Sequence, residues 1–156
     1  YTKADQPHLD LSFLEFSARL FQRIDEIEPQ FLFLEMGKQH LAHYLIECQK
    51  RWKYVTFYNS TYYRKRTNKC YIIHACNEFR RRRYTVLEDM DEADSIAWIT
   101  TNHEYQCIGD LCMGRGLVGQ GAFRAGRRFV GTELNPKRLA VLVDWIAQRQ
   151  ALTAAQ

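Results

Sequence analysis

The segment from Tyr105 to Pro136 constrains the fold more than any other part of this 156-residue chain. It reads as a strand, a glycine turn, a helix and a second strand. Gly114 and Gly116 remove side chains where the backbone must turn sharply, and the following helix presents unpaired N–H groups there. Glu133 closes the predicted second strand, residues 129–133, about 20 residues beyond the turn, where a carboxylate can accept both ribose hydroxyl protons. The segment therefore predicts a site for a cofactor that carries a nucleoside.

Two classes of cofactor use such a turn, because Gly114, Gly116 and Gly119 also match the spacing of a dinucleotide fingerprint. The acid before the glycines separates the two classes. Asp110 would repel a pyrophosphate, whereas it could accept hydrogen bonds from a cationic amino acid group. This favours S-adenosylmethionine (SAM), which carries an ammonium and a sulfonium group. A nicotinamide-dependent oxidoreductase that binds NAD is the weaker alternative.

Two blocks of this segment carry a family resemblance. Residues 110–116 read Asp-Leu-Cys-Met-Gly-Arg-Gly, and residues 126–136 read Gly-Arg-Arg-Phe-Val-Gly-Thr-Glu-Leu-Asn-Pro. The second block closely resembles Gly-Arg-x-Phe-x-Gly-x-Glu-x-Asn-Pro of the permuted SAM-dependent DNA amino-methyltransferases. The first is similar to their Asp-Pro-Phe-x-Gly-Ser-Gly-Thr motif, with departures at positions 111, 112, 115 and 117. The resemblance implies SAM contacts at Asp110, Cys112, Gly114, Gly116, Glu133 and Asn135.

Composition and cysteine spacing indicate the class and location of the protein. The chain is 46% hydrophobic, and no apolar run approaches the roughly 18 residues of a membrane helix, so we expect no membrane partner. Five cysteines without paired Cys-x-x-Cys spacing favour reduced thiols and a cytoplasmic location. Cys70, His74 and Cys76 would share one strand face, but ordinary burial explains them better than a metal site. We expect one domain over residues 1–156, without a metal ion and with its cofactor-binding half at about 94–150.

The residue patterns predict an alternating order of helices and strands. Ser12 and Glu15 form a capping box at the start of a first helix, which we expect to end near Ile27. The short apolar run at 31–35 is typical of a parallel strand that is covered on both faces. Further predicted elements are a helix at 41–52, hairpin strands at 54–63 and 69–75, helices at 91–101 and 117–125, and a final helix that starts at Pro136 and turns Leu139, Leu142, Val143 and Ile146 inward.

This order bears on the fold class. In the unpermuted methyltransferase fold the cofactor strand comes first, whereas here a helix, a strand, a helix and a hairpin precede it. The resemblance therefore implies a circularly permuted, Rossmann-like three-layer α/β sandwich. Its sheet is expected to be mostly parallel, with the hairpin forming an antiparallel edge.

Aromatic and basic side chains cluster at two places that suit a nucleic acid. The net charge is only +4, so a nucleic-acid footprint must come from such clusters. The candidates at the predicted hairpin turn are Tyr62, Tyr63, Arg64 and Lys65. The candidates in the following run are Arg80, Arg81, Arg82 and Arg83. The alternatives are that the tyrosines pack within the hairpin and that the arginines form a solvated loop.

Two further predictions concern residues outside these clusters. Glu35 lies at the end of a predicted strand that faces the cofactor crevice, and we expect it to contact the cofactor. In the family, an Asp/Asn/Ser-Pro-Pro-Tyr/Phe/Trp loop accepts the amino-group protons and stacks on the flipped base. No Pro-Pro occurs in the chain. Tyr1 is expected to be the last residue of such a loop, with its ring stacked on the target base.

The function that these observations favour is methylation of the exocyclic amino group of adenine or cytosine in DNA, with RNA as the alternative substrate. Only about 30 residues separate the hairpin from the cofactor strand, which leaves no room for a large target-recognition domain. Sequence specificity is therefore expected to be low or to involve a partner subunit or a second copy. A catalytically incomplete SAM-binding subunit is the alternative from a different functional class.

Overall fold

The structure, a computed structural model, describes residues 12–79 and 83–154, with side chains as far as residue 152. The described chain forms two compact units, residues 12–92 and residues 93–154. The second unit begins one residue before the predicted cofactor-binding half. The organisation of the whole chain as one domain stays a prediction.

The first unit begins with helix α1, Phe13–Ile27, whose start follows from the predicted capping box. The Ser12 backbone N–H donates to Glu15 Oε2 at 2.9 Å, and the Glu15 N–H donates to Ser12 Oγ at 3.3 Å. These bonds satisfy N–H groups that a helix start leaves unpaired. The helix buries Ser17, Phe21 and Ile24. It ends at Ile27, and the capping residue Glu28 adopts a left-handed conformation directly before Pro29.

A four-stranded sheet follows in the same unit. Strand β1 spans Phe31–Met36, β2 spans Tyr54–Thr61, β3 spans Lys69–Cys76, and the short β4 spans Met90–Asp91. Helix α2, Leu41–Gln49, lies between β1 and β2 in the sequence and ends three residues before Trp52, where the helix was predicted to end. The strands are ordered β1-β3-β2-β4.

The position of β3 corrects one detail of the sequence prediction. β1 and β2 run in the same direction, as the β–α–β order predicts, but β3 lies between them and pairs antiparallel with both. The predicted hairpin is therefore confirmed, whereas its second strand is not at an edge of the sheet. Among the described strands of this sheet, only β2 and β4 form a parallel pair. The apolar sequence of β3 explains this position, because Ile72 to Cys76 are all buried and a central strand is covered by its neighbours.

The three residues considered for a metal site are part of this core. Cys70, His74 and Cys76 are all buried in β3, and His74 stacks on Phe33 with ring centroids 4.5 Å apart. Burial, and secondarily nearby carboxylates, raise the pKa of the Cys70 thiol to about 11. Within residues 12–79 and 83–152, no group of three or more His, Cys, Asp or Glu side chains is arranged to hold a metal ion.

The second unit contains a helix, a strand, a helix, a strand and a long helix. These are α3 at Glu92–Asn102, β5 at Cys107–Asp110, α4 at Leu117–Arg124, β6 at Arg128–Gly131 and α5 at Pro136–Ala154. β5 and β6 pair in parallel, with Cys107 opposite Arg128 and Asp110 opposite Gly131. β6 ends at Gly131, so the prediction that Glu133 closes the strand is wrong by two residues. Among the helices that the structure describes, none combines the length and apolar character needed to cross a membrane.

The burial of α5 differs from the sequence prediction. Asn135 caps this helix as predicted, because its Oδ1 accepts the Lys137 N–H at 3.0 Å. Leu142 is buried, but Leu139 and Val143 are 40% and 54% exposed, so their predicted inward orientation is wrong. The helix instead packs through the row of Leu142 and Trp145, and the Trp145 ring centroid lies 5.7 Å from that of Phe123 in α4. Leu139 shares the side of Leu142 but lies in the first turn of α5, where it remains partly exposed, and Val143 lies on the side that is open to solvent.

Candidate functional site

A tight turn after β5 forms the centre of the candidate site. The Gly116 N–H donates to the Met113 carbonyl oxygen at 2.7 Å and closes the turn. Gly114 and Gly116 both have positive φ angles, +54° and +80°. Residues other than glycine rarely adopt this backbone conformation, which explains why glycine occupies both positions.

The glycines of this turn have different structural roles. A Cβ atom added to Gly114 would meet no atom within 4 Å, so the backbone there borders open space that a ligand can approach. A Cβ on Gly116 would lie 2.7 Å from Leu142 Cδ2, and a Cβ on Gly119 would lie 2.9 Å from Phe129 Cε1. Glycine is therefore required at these two positions, because any side chain there would disturb the packing of α4 against α5 and β6.

The loop after β6 is attached to this turn by hydrogen bonds. The Met113 N–H donates to the Thr132 carbonyl oxygen at 3.1 Å, and the Thr132 N–H donates to the Asp110 carbonyl oxygen at 3.0 Å. The Thr132 hydroxyl also donates to the Leu111 carbonyl oxygen at 2.7 Å. These bonds extend the contact between the two segments beyond the ends of β5 and β6. They bring Glu133 to the same end of the strand pair as Asp110.

Glu133 has one occupied and one free carboxylate oxygen. Its Oε1 accepts the Asn135 N–H at 2.8 Å. Its Oε2 is buried and has no hydrogen-bond partner among the described residues. A buried polar atom without a partner carries a desolvation cost of about 1–3 kcal/mol. An acceptor in this state suits a ligand that brings its own hydroxyl or N–H donors.

Asp110 supplies a second carboxylate at the end of β5. Its Oδ1 accepts the Cys112 N–H at 3.0 Å, a bond that fixes the side chain toward the turn. Burial and, secondarily, the charge of Glu133 raise the pKa of Asp110, although the Cys112 N–H partly offsets the effect. A cationic group placed beside the two carboxylates would relieve this electrostatic penalty.

Cys112 is the predicted contact with the least specific environment. Its side chain is solvent-exposed. Partial desolvation of the sulfur atom nevertheless raises the pKa of the thiol, and the negative charges of Asp110 and Glu133 raise it further. The thiol is therefore held in the protonated form and is a poor nucleophile. The structure thus brings six of the seven predicted cofactor contacts to one loop cluster: Asp110, Cys112, Gly114, Gly116, Glu133 and Asn135.

Glu35, the remaining predicted cofactor contact, belongs to the first unit. It lies near the end of β1, where the Tyr62 hydroxyl forms a hydrogen bond with its carboxylate. Burial, the charge of Glu35 and this hydrogen bond together raise the pKa of Tyr62. A role of Glu35 toward the cofactor stays a prediction. The Tyr62 side chain packs within the first unit through this contact with Glu35, which agrees with the alternative that the tyrosine packs within the hairpin.

The other candidates for nucleic-acid contact are on the surface where the structure describes them. Tyr63 is 79% exposed in the turn between β2 and β3, next to the exposed Arg64 and Lys65. Arg83 is also exposed. Arg80, Arg81, Arg82 and Tyr1 lie outside the described residues, so their predicted roles stay predictions.

Sequence reasoning missed the residues that support the site. Thr132 joins the two loops through its hydroxyl and backbone, and Leu142 lies beneath the glycines of the turn. The apolar spacing of α5 predicts that Leu142 faces inward, but no pattern assigns it to the glycine turn. Thr132 carries no sequence signal of its own because a threonine after a strand is common.

Two solved structures share this fold. The crystal structure of M1.HpyAVI aligns with a TM-score of 0.57 and 13% sequence identity, covering 74% of this chain and 74% of that chain. The crystal structure of the M1.HpyAVI–SAM complex aligns with a TM-score of 0.56 and 12% identity, covering 73% and 72% of the two chains. This similarity confirms the predicted α/β methyltransferase-like fold. No protein-family model and no curated protein matches the sequence.

Proposed function

We propose that this protein binds SAM and transfers its methyl group to an exocyclic amino group of adenine or cytosine in DNA. The observation that carries the proposal is the buried Glu133 Oε2 beside the glycine turn, which has no hydrogen-bond partner within residues 12–79 and 83–152. The hydroxyl groups of a ribose are donors of the kind that this oxygen lacks.

The other residues of the loop cluster fit SAM in the same way. Asp110, whose pKa is raised by burial and by Glu133, would accept hydrogen bonds from the ammonium group of SAM. Gly114 borders open space and would let the cofactor approach the backbone closely. A pyrophosphate would instead place further negative charge beside two carboxylates. The fold shared with the SAM complex of M1.HpyAVI supports this choice of cofactor.

A nucleic acid as the substrate is supported by the surface of the hairpin turn. Tyr63 offers an exposed ring on which a base can stack. Lys65 and Arg66 lie in the same turn, and neither forms an ion pair among the described residues. Basic side chains without a protein partner are available to phosphates. DNA is the proposed substrate and RNA the alternative.

A SAM-binding subunit without catalytic activity is the second candidate. The sequence contains no Pro-Pro, although the family that it resembles uses such a loop to hold the target amino group. In this case SAM binding would be retained and a partner subunit would supply catalysis. A cytoplasmic location, which the spacing of the five cysteines favours, is likewise a proposal.

Two assays with the purified protein separate these candidates. Calorimetric titrations with SAM and with NAD test the cofactor, and the proposal predicts heat of binding with SAM only. Transfer of the radiolabelled methyl group from SAM to double-stranded DNA, single-stranded DNA and RNA then tests catalysis. Labelled DNA supports the enzyme, whereas SAM binding without label in any nucleic acid supports the subunit. Binding of NAD without SAM would contradict both.

A further inference from the structure

The turn between β2 and β3 has an unusual backbone. The Lys65 N–H donates to the Tyr62 carbonyl oxygen at 3.2 Å, which closes a tight turn around Tyr63 and Arg64. These two residues have φ angles of +59° and +56°. Two consecutive left-handed residues form the primed turns of hairpins, where asparagine and glycine are usual. A tyrosine and an arginine there store backbone strain, which surrounding contacts must hold.

Asp91 holds this turn from the neighbouring strand. Its Oδ2 accepts the Arg64 N–H at 2.6 Å and the Thr61 hydroxyl at 3.1 Å. Asp91 lies in β4, directly opposite Thr61 in the parallel pair with β2. One carboxylate oxygen therefore attaches the turn to the sheet and fixes the chain that leads to Arg66 and Lys69.

A cavity of about 330 Å³ lies in the same region. This volume falls at the lower end of the range of about 300–1,000 Å³ that is usual for ligand sites. The residues that line it are Asn59, Ser60, Thr61, Arg66, Lys69 and Asp89. Arg66 and Lys69 are exposed, and neither forms an ion pair within the described part of the chain.

The polar neighbours in the cavity wall are engaged elsewhere. The Ser60 hydroxyl donates to the Met90 carbonyl oxygen at 2.7 Å, and the Asn59 side-chain amide donates to Glu88. Asp89 is the one carboxylate among the lining residues, and its negative charge offsets one of the two positive charges of Arg66 and Lys69. The lining therefore keeps an excess of one positive charge, and its available donors are the guanidinium and the ammonium group.

We infer that this cavity is a phosphate-binding site, formed by Arg66 and Lys69 and held in shape by Asp91. A guanidinium can bind two phosphate oxygens at once, and an ammonium group adds a compact positive charge. The identification of the phosphate as part of a nucleic-acid backbone rests on the proposed function. A free nucleotide is the other source of the same chemistry.

Binding experiments with charge-neutral variants test the site. Fluorescence anisotropy with a labelled single-stranded DNA is measured over a series of salt concentrations for Arg66→Gln and Lys69→Gln. We expect each variant to bind more weakly and to lower the log–log salt slope by about 0.7 for one lost phosphate contact. Lys53→Gln, an exposed cation above the Tyr54 ring in the same unit, is the matched control and should leave the slope unchanged. Equal slopes for all three variants and the wild type would overturn the inference.

Competition with inorganic phosphate and with a mononucleotide identifies the source. If millimolar mononucleotide displaces the DNA from wild type but not from the double variant of Arg66 and Lys69, the cavity takes a free nucleotide phosphate. If neither competitor acts while the slopes differ, the site takes the backbone of a nucleic acid. Both results support a phosphate site. Slopes that do not differ refute it regardless of the competitors.

Variants of Asp91 test its positioning role. Asp91→Ala removes a negative charge near the cavity, so electrostatics alone would strengthen DNA binding. We expect weaker binding instead, because the turn loses both hydrogen bonds, and we expect Asp91→Asn to restore part of the affinity through its carbonyl oxygen. Stronger binding by Asp91→Ala would overturn the positioning role. Titration with SAM accompanies every experiment. If the wild-type protein does not bind SAM, the proposed function is rejected, whereas the inference of a phosphate site still depends on the salt slopes alone.

Discussion

Glu133 and Asn135 are joined by a hydrogen bond of 2.8 Å from the Asn135 N–H to one oxygen of the Glu133 carboxylate. The bond fixes the carboxylate at the start of α5, and its second oxygen is buried without a hydrogen-bond partner in the part of the chain that the structure describes. Since Asn135 also caps α5 through its side chain, the start of the helix and the orientation of the acid are set together. This relationship makes Glu133 the most specific residue of the candidate site.

Glu133→Ala is expected to weaken SAM binding by about 1–3 kcal/mol, because hydrogen bonds between a carboxylate and the ribose hydroxyls are lost. The thermal stability of the protein without cofactor should change little. Glu133→Gln is the matched variant, since its amide oxygen can keep the bond to Asn135. Calorimetric titration gives the affinities, and normal SAM binding by Glu133→Ala would show that the ribose role is wrong.

Alanine at Gly114 and at Gly116 should have opposite consequences. Gly116→Ala combines a left-handed conformation with a contact of 2.7 Å to Leu142, so we expect a loss of about 2–5 kcal/mol in the free energy of unfolding. Gly114→Ala meets open space and should cost only about 1–2 kcal/mol, but its methyl group would obstruct the cofactor. Urea denaturation and SAM titration of both variants check this contrast. Equal destabilisation by both would contradict it.

Asp110→Asn is expected to stabilise the protein without cofactor at neutral pH while weakening SAM binding. The pKa of Asp110 is raised by burial and by Glu133. Ionisation of such a group lowers stability as pH rises through its pKa in the folded state. The stability advantage of the variant should therefore be present at neutral pH and shrink as the pH falls through that pKa. Thermal unfolding between pH 4 and pH 8 tests this, with Asp144→Asn on the exposed side of α5 as control. An advantage that is independent of pH would contradict it.

Replacement of Arg80–Arg83 by serine is expected to reduce DNA affinity. Each lost phosphate contact should flatten the log–log salt dependence by about 0.9 with duplex DNA. Serine in place of Arg19, Arg23, Lys50 and Lys53, four exposed cations elsewhere in the chain, controls for the change in net charge. If the salt slope of the arginine variant equals that of the wild type, the run is a solvated loop.

Much of the local structure was predictable because short-range chemistry determines it. The capping box of Ser12 and Glu15, the left-handed glycines and the Asn135 cap depend on residues within a few positions of one another. The position of β3 between β1 and β2 was not predictable in this way. It depends on pairing between strands that are distant in the sequence, which the pattern of one strand does not specify.

The candidate site shows the same division. The spacing of Asp110, Gly114 and Glu133 indicated that they would meet at one end of a strand pair. The free Oε2 of Glu133 and the support of the glycine turn by Leu142 depend on packing, which the sequence does not reveal. The strained turn held by Asp91 was also missed, because Tyr63 and Arg64 are residues that rarely adopt left-handed conformations.

The most direct test of the central claim is calorimetric titration of the wild-type protein with S-adenosylhomocysteine, which retains the ribose and the amino acid group of SAM, beside a parallel titration with NAD. We predict saturable heat of binding at one site for S-adenosylhomocysteine, loss of that heat in Glu133→Ala, and no heat for NAD. Saturable binding of NAD together with no heat from S-adenosylhomocysteine would contradict the assignment of the cofactor.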